Sequence, residues 1–234
     1  VGIELLLIIF IAPSFTAGSI TGERERKTYD LLQTTLMSSP MFVIGKLESA
    51  LSYVLLLLLS AIPLQSIAFL FGGVSELEVL LVFVILAVTA IGLGTVGLFF
   101  STSVDRTLSA SVRAYTVALI ITFGVPVVLF MLQSLFYGVF YGAGAAASGL
   151  PPALEVALVY FRDLLISLNP ISTAVITQDM LINRGQIAFG TYTLSTTGGT
   201  IPIVSPWITF TIIYLVTAAV LVVFSIRRMQ RIEA

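Results

Sequence analysis

The sequence predicts an all-α, polytopic membrane bundle, and three observations predict it. The first is composition. Of the 234 residues 58% are hydrophobic and 10% charged, with a mean hydropathy of +1.09, whereas a soluble domain carries about a quarter charged residues. The second is five apolar runs, each near the roughly 20 residues that cross about 30 Å of hydrocarbon. The third is a one-sided distribution of Lys and Arg between those runs. A net charge of -1 argues against a nucleic-acid partner. With no Cys and no His, disulfides, thiolate nucleophiles, imidazole bases and the usual zinc ligands are all excluded.

The five spans are expected at about 1–20, 47–71, 79–100, 115–137 and 206–226, within a single transmembrane domain over 1–234. Pro13, Pro63 and Pro126 lie inside spans and should kink or loosen them. The run from Val1 has neither a basic leader nor a cleavage site, so it does not read as a signal peptide. Alternate connecting segments sort the cations. The set 21–46, 101–114 and 227–234 holds Arg24, Arg26, Lys27, Lys46, Arg106, Arg113, Arg227, Arg228 and Arg231. The other set holds only Arg162 and Arg184. Nine against two places the first set and the C-terminus on the cytoplasmic side of the cell membrane, and 138–205 outside.

The first connection carries a charged island, Gly22-Glu23-Arg24-Glu25-Arg26-Lys27-Thr28-Tyr29-Asp30-Leu31-Leu32, which runs on to Gly45-Lys46. Glu23/Lys27 and Arg26/Asp30 are spaced i,i+4, a pairing that supports a surface helix by roughly 0.2–0.5 kcal/mol each. Tyr29, Leu32 and Leu36 share one face of such a helix, and Ser38-Ser39-Pro40 breaks it. A solvated charged loop remains the alternative. Glu23→Lys with Glu25→Lys is expected to leave insertion and folding intact, because positive charge is favoured on this side.

The island resembles the cytoplasmic segment of ABC-2-type transporter permeases: Glu-Arg-Glu, a Thr, two leucines, Thr-Pro-x-Ser, then Gly-Lys at the next span. Glu23, Arg24, Glu25, Thr28, Leu31, Leu32, Thr35, Ser38, Gly45 and Lys46 match it. Lys27 stands where the family often has Gly, and Leu36 where it has Pro. The Leu168-Asn169-Pro170-Ile171-Ser172 element before the last span is a second match. The resemblance covers nearly the whole chain from the family's second span onward, which implies a further span upstream of Val1.

The resemblance implies a permease subunit that exports a hydrophobic or amphipathic substrate. Its partners would be a separate ABC ATPase that binds ATP and Mg, and a second permease chain, identical or paralogous. The coupling residues it implies, together with the apolar face above, are Glu23, Arg24, Glu25, Thr28, Tyr29, Leu31, Leu32 and Leu36. A permease-like structural subunit of a larger membrane complex is the alternative. The chain is not expected to be an enzyme, since it lacks both a nucleophile-base constellation and a G-x-x-x-x-G-K-[ST] loop.

Three further features are readable. Polar residues within spans are the candidates for a substrate path: Tyr53, Gln65, Thr89 and Gln133, with Ser60, Thr95 and Ser134 beside them. Each competes with simple interhelical hydrogen bonding. Gly92-Leu93-Gly94-Thr95-Val96-Gly97 matches a dinucleotide fingerprint, but it lies in an apolar span, where close helix packing is the better reading. In the external segment, Pro151-Pro152 opens a helix over about 153–168 that either lies at the interface or dips back into the membrane, or else caps the external ends of the spans. Residues 190–205 are expected as loop or a short hairpin. Trp207, Tyr137 and Tyr141 are expected as interface anchors.

Overall fold

The computed structural model describes residues 2–28, 38–72, 75–140, 151–195 and 197–233, with side chains for all of these except 64, 68–70, 135–140, 232 and 233. The elements along them are helices α1 (Gly2–Ala17), α2 (Thr21–Glu25), α3 (Ser39–Leu70), α4 (Glu76–Ser103) and α5 (Thr107–Leu119). A π-helical turn (Ile120–Gly124), α6 (Val125–Phe140), α7 (Pro152–Ile166) and α8 (Pro170–Arg184) follow. Strands β1 (Phe189–Thr193) and β2 (Thr200–Val204) and helix α9 (Pro206–Glu233) complete the order. Among the described residues, five helical stretches are long and apolar enough to cross a membrane: Gly2–Glu25, Ser39–Ile67, Glu76–Ser103, Thr107–Ser134 and Pro206–Arg231. This is a membrane protein built as a helical bundle, with spans where the apolar runs lie. The departure from an all-α chain, among the described residues, is the antiparallel β1–β2 hairpin, which pairs Phe189 with Val204 and Thr193 with Thr200.

The chain forms two compact units, Val1–Leu119 with Tyr214–Ala234, and Ile120–Ile213. In the first unit α4 is the central helix: 61% of its most apolar stretch is buried, against 12% for α3. A capping box starts it, with the Ser75 hydroxyl accepting from Glu78 N and the Glu78 carboxylate accepting from Ser75 N. Its glycines set the packing. Gly97 lies against the backbone of α1, where an added Cβ would sit 3.1 Å from Pro13 O and 3.2 Å from Ala17 N, and would collide with the Thr16 hydroxyl. A Cβ on Gly94 would meet Leu51 Cδ2 of α3 at 2.9 Å, and one on Gly92 would strike the Tyr214 ring of α9. The G-x-G-x-x-G pattern is therefore three notches for three neighbouring helices. In lipid this matters more than hydrophobicity, because tails are as apolar as leucine and close packing must drive association.

In the second unit α7, α8 and the hairpin close around Val159, Met180 and Ile203. Helix α7 begins at Pro152, as expected. Helix α8 has a full set of end signals: Asn169 as N-cap, Pro170 in the first turn, Arg184 in the last, and Gly185 at φ 60 beyond it.

Pro126 behaves as anticipated for a proline inside a span, whereas the helices continue through Pro13 and Pro63. Its missing N–H deprives the Thr122 carbonyl of its i+4 donor, and the turn before it widens to a π-helix. Asn169 makes good the loss. Its Nδ2 donates to Thr122 O at 2.9 Å and to Ile121 O at 2.7 Å, while its Oδ1 caps α8 by accepting from Ser172 N at 2.8 Å. Asn169 is wholly buried. Asn169→Leu should orphan both carbonyls and the α8 terminus, at about 1–3 kcal/mol for each buried group. Its unfolding midpoint in detergent should fall well below that of Asn169→Asp, which keeps the cap.

Candidate functional site

The described part of the charged island, Gly22 to Thr28, folds into a clasp at one end of the first unit. Helix α2 has no side-chain cap of its own, because Ile20 occupies the N-cap position. The buried Ser101 of α4 substitutes: its hydroxyl accepts from Ile20 N at 3.0 Å and Thr21 N at 3.1 Å. The helix stops after Glu25. Thr28 N bonds Glu23 O and Lys27 N bonds Arg24 O, both at 3.0 Å, the Schellman pattern. Lys27 takes the left-handed residue of that motif at φ 57, a conformation that favours glycine.

The helix that the i,i+4 spacing predicts is therefore interrupted at Lys27, and its Tyr29/Leu32/Leu36 face lies outside the described residues. Lys27 lies past the helix end, so it forms no i,i+4 helical pair with Glu23. Instead Glu23 accepts from Lys46 Nζ of α3 at 2.7 Å and from the Thr28 hydroxyl. Glu25 receives Thr107 N at 2.8 Å, and its second oxygen lies 3.0 Å from the Thr107 hydroxyl, so it caps α5. Arg24 reaches Val104 O at 3.4 Å, Asp105 at 3.3 Å and Met229 Sδ of α9 at 3.9 Å. Since the Asp105 side chain is 94% exposed, that ion pair is worth little. Beneath the polar layer Ile20, Val43, Leu98 and Met229 form a buried cluster. Arg228 closes the far side by donating to Ser103 O at 3.1 Å. The segments holding most of the cations thus meet at one end, with Arg26, Lys27, Arg106, Arg227 and Arg231 exposed there.

Of the expected coupling residues, Glu23, Arg24, Glu25 and Thr28 therefore belong to the clasp. Tyr29, Leu31, Leu32 and Leu36 lie outside the described residues, as does Tyr141. Trp207 donates its indole N–H to Ile187 O at 2.8 Å.

The expected path residues have separate roles. Tyr53 is about half exposed and packs its ring 4.6 Å from that of Phe15. Thr89 is buried and bonds back to Ile85 O at 2.6 Å. Gln133 is exposed on α6. Gln65 donates to the Glu4 carboxylate at 2.9 Å and is the only one of the four that lines the apolar cavity between α3 and α4. Glu4, a carboxylate inside the first apolar run, was missed among the polar residues of the spans, although an acidic residue there is itself a signal.

Comparison with protein-family models, with curated proteins and with solved structures finds no match to this chain.

Proposed function

We propose that this chain is the membrane-spanning permease subunit of an ABC-2-type transporter, exporting a hydrophobic or amphipathic molecule with ATP hydrolysed by a separate subunit. One observation carries the reading. Helix α2 is tied at once to α3 through Lys46, to α4 through Ser101, to α5 through Thr107 and to α9 through Met229. A partner that displaces α2 and the residues after it moves the ends of all four spans together, which is what a coupling element must do. The exposed cations around the clasp support a cytoplasmic setting for this end under the positive-inside rule. The sparsely buried faces of α3 and of Thr107–Ser134 would meet lipid and a second permease chain, with which this one would form an alternating-access pathway.

The test is coexpression with the candidate ATPase. The wild-type chain should copurify with it and support substrate-stimulated ATP hydrolysis in lipid nanodiscs. Leu32→Asp alters no clasp residue but places a charge on the expected contact face. It should weaken association at least about tenfold, or 1.4 kcal/mol, while the chain alone keeps its unfolding midpoint. A stable membrane assembly that contains this chain and no ATPase would defeat the transporter reading.

A further inference from the structure

The part of α9 that belongs to the first unit divides by face. Tyr214, Ala218, Ser225 and Met229 are buried, while Val216, Val220 and Phe224 are exposed. Three- and four-residue steps keep one helix face, so the exposed stripe continues to Arg227 and Arg231, which are exposed as well. A hydrocarbon stripe thus ends in two guanidinium groups. Their depth suits a lipid headgroup. The charge-free run from Pro206 to Ile226 makes about 32 Å of helix, against about 30 Å of hydrocarbon. Arg227 therefore stands at the edge of the hydrocarbon, and Arg231 about 6 Å further out.

Like charges one turn apart repel, and other cations of this chain are matched by a carboxylate. Arg24 has Asp105, Lys46 has Glu23, Arg162 has Asp163 and Arg184 has Asp179. Among the described residues Arg227 and Arg231 have no such partner. Arg228 beside them donates through Nη2 to Ser103 O at 3.1 Å, which ties it to the end of α4 and leaves its other N–H groups for a further acceptor. The helix dipole favours cations at this end whatever the lipid, but it does not distinguish Arg from Lys, or one headgroup from another. A guanidinium does: it holds phosphate through two parallel N–H bonds. Free phosphate would answer the charge and leave Val220 and Phe224 uncovered. A zwitterionic lipid brings its own cation to compete for the phosphate. A phospholipid with net negative charge satisfies both the guanidinium pair and the apolar stripe.

We propose that this end of α9 binds an anionic phospholipid, with its phosphate between Arg227 and Arg231, Arg228 at its flank, and an acyl chain along Phe224 and Val220. The site is formed within one chain and stands whether or not the transporter reading holds.

The experiment uses the purified chain in phosphatidylcholine nanodiscs, without any ATPase. A trace of phosphatidylglycerol with a diazirine in one chain is photolysed, and the labelled peptides are mapped. Label should appear saturably on residues 216–231. Unlabelled phosphatidylglycerol should compete at least about tenfold better than added phosphatidylcholine, and glycerol 3-phosphate, which has the phosphate without the chains, should not compete. Arg227→Gln with Arg231→Gln should abolish saturable labelling. Arg227→Lys with Arg231→Lys keeps every charge and should still lower the affinity about fivefold, because the fork is lost. The Lys variant should keep the wild-type unfolding midpoint, since both side chains are exposed. Equal competition by the two lipids, competition by glycerol 3-phosphate, or wild-type affinity in the Lys variant overturns the proposal and leaves these arginines as general membrane-end charge.

Discussion

Replacing Gly97 with leucine should prevent α1 from seating on α4 and leave little monodisperse protein. The position has no room: even a bare Cβ would meet the backbone at Pro13 O and Ala17 N and collide with the Thr16 hydroxyl. Backbone cannot swing aside as a side chain does, so the helices must separate, and every α1–α4 contact weakens with them. Overpacking a well-filled core costs about 1–3 kcal/mol, and a whole leucine against backbone belongs at or above the top of that range. Gly94→Ala should be mild, since its neighbour is the end of the flexible Leu51 side chain. Gly92→Ala should fall between them, because it displaces the Tyr214 ring. Unfolding midpoints by circular dichroism in detergent, with size-exclusion profiles, rank the three. A Gly97→Leu protein as stable as Gly94→Ala would refute the notch arrangement.

Reversing both clasp carboxylates, Glu23→Lys with Glu25→Lys, should destabilise the chain by about 1–3 kcal/mol. The island read as a linear charge pattern predicts intact folding; the contacts of Glu23 and Glu25 predict the opposite. Glu25→Lys should carry more of the loss. It removes the cap on Thr107 N, a change worth about 0.5–2 kcal/mol, and sets a cation against the positive end of the α5 dipole. Glu23→Lys opposes Lys46 across a pair whose side chains are about 27–29% exposed, so its share should stay near about 1 kcal/mol. Adding Lys46→Glu to Glu23→Lys should restore that share, and nothing should restore Glu25→Lys except a residue that caps Thr107. Chemical unfolding of the four variants in detergent measures both terms. If the double reversal unfolds at the wild-type midpoint, these carboxylates hold no spans and any role they have lies with a partner.

The parts of this fold that could be read without coordinates rest on local or additive physics. Twenty apolar residues in a row must be helical in lipid, because every backbone N–H and C=O needs a partner within the segment. All five spans are legible for that reason. Pro126 announced a disturbed helix through its own missing donor. The glycines of residues 92–97 announced close packing because a strand-turn-helix setting was absent. Asn169-Pro170 is visible as a motif, and Arg184-Gly185 marks the other end of α8 by the same local chemistry.

What the sequence could not decide is which distant group answers each polar one. Spacing favours Lys27 as the partner of Glu23, since the two are four residues apart; the fold supplies Lys46, 23 positions away. Glu25 finds the start of α5, Ser101 caps a helix it does not belong to, and Asn169 repairs carbonyls about 47 residues distant. Gly97 is a notch whichever helix fills it, yet only the tertiary structure shows that α1 does. By itself the sequence determined a helical membrane protein with five apolar runs long enough to span and an uneven distribution of basic charge. Composition and periodicity act within one segment and survive any arrangement of the others. Tertiary structure alone decided that Glu23, Arg24 and Glu25 clasp the ends of neighbouring helices, because long-range hydrogen bonds depend on which helix ends the packing brings together.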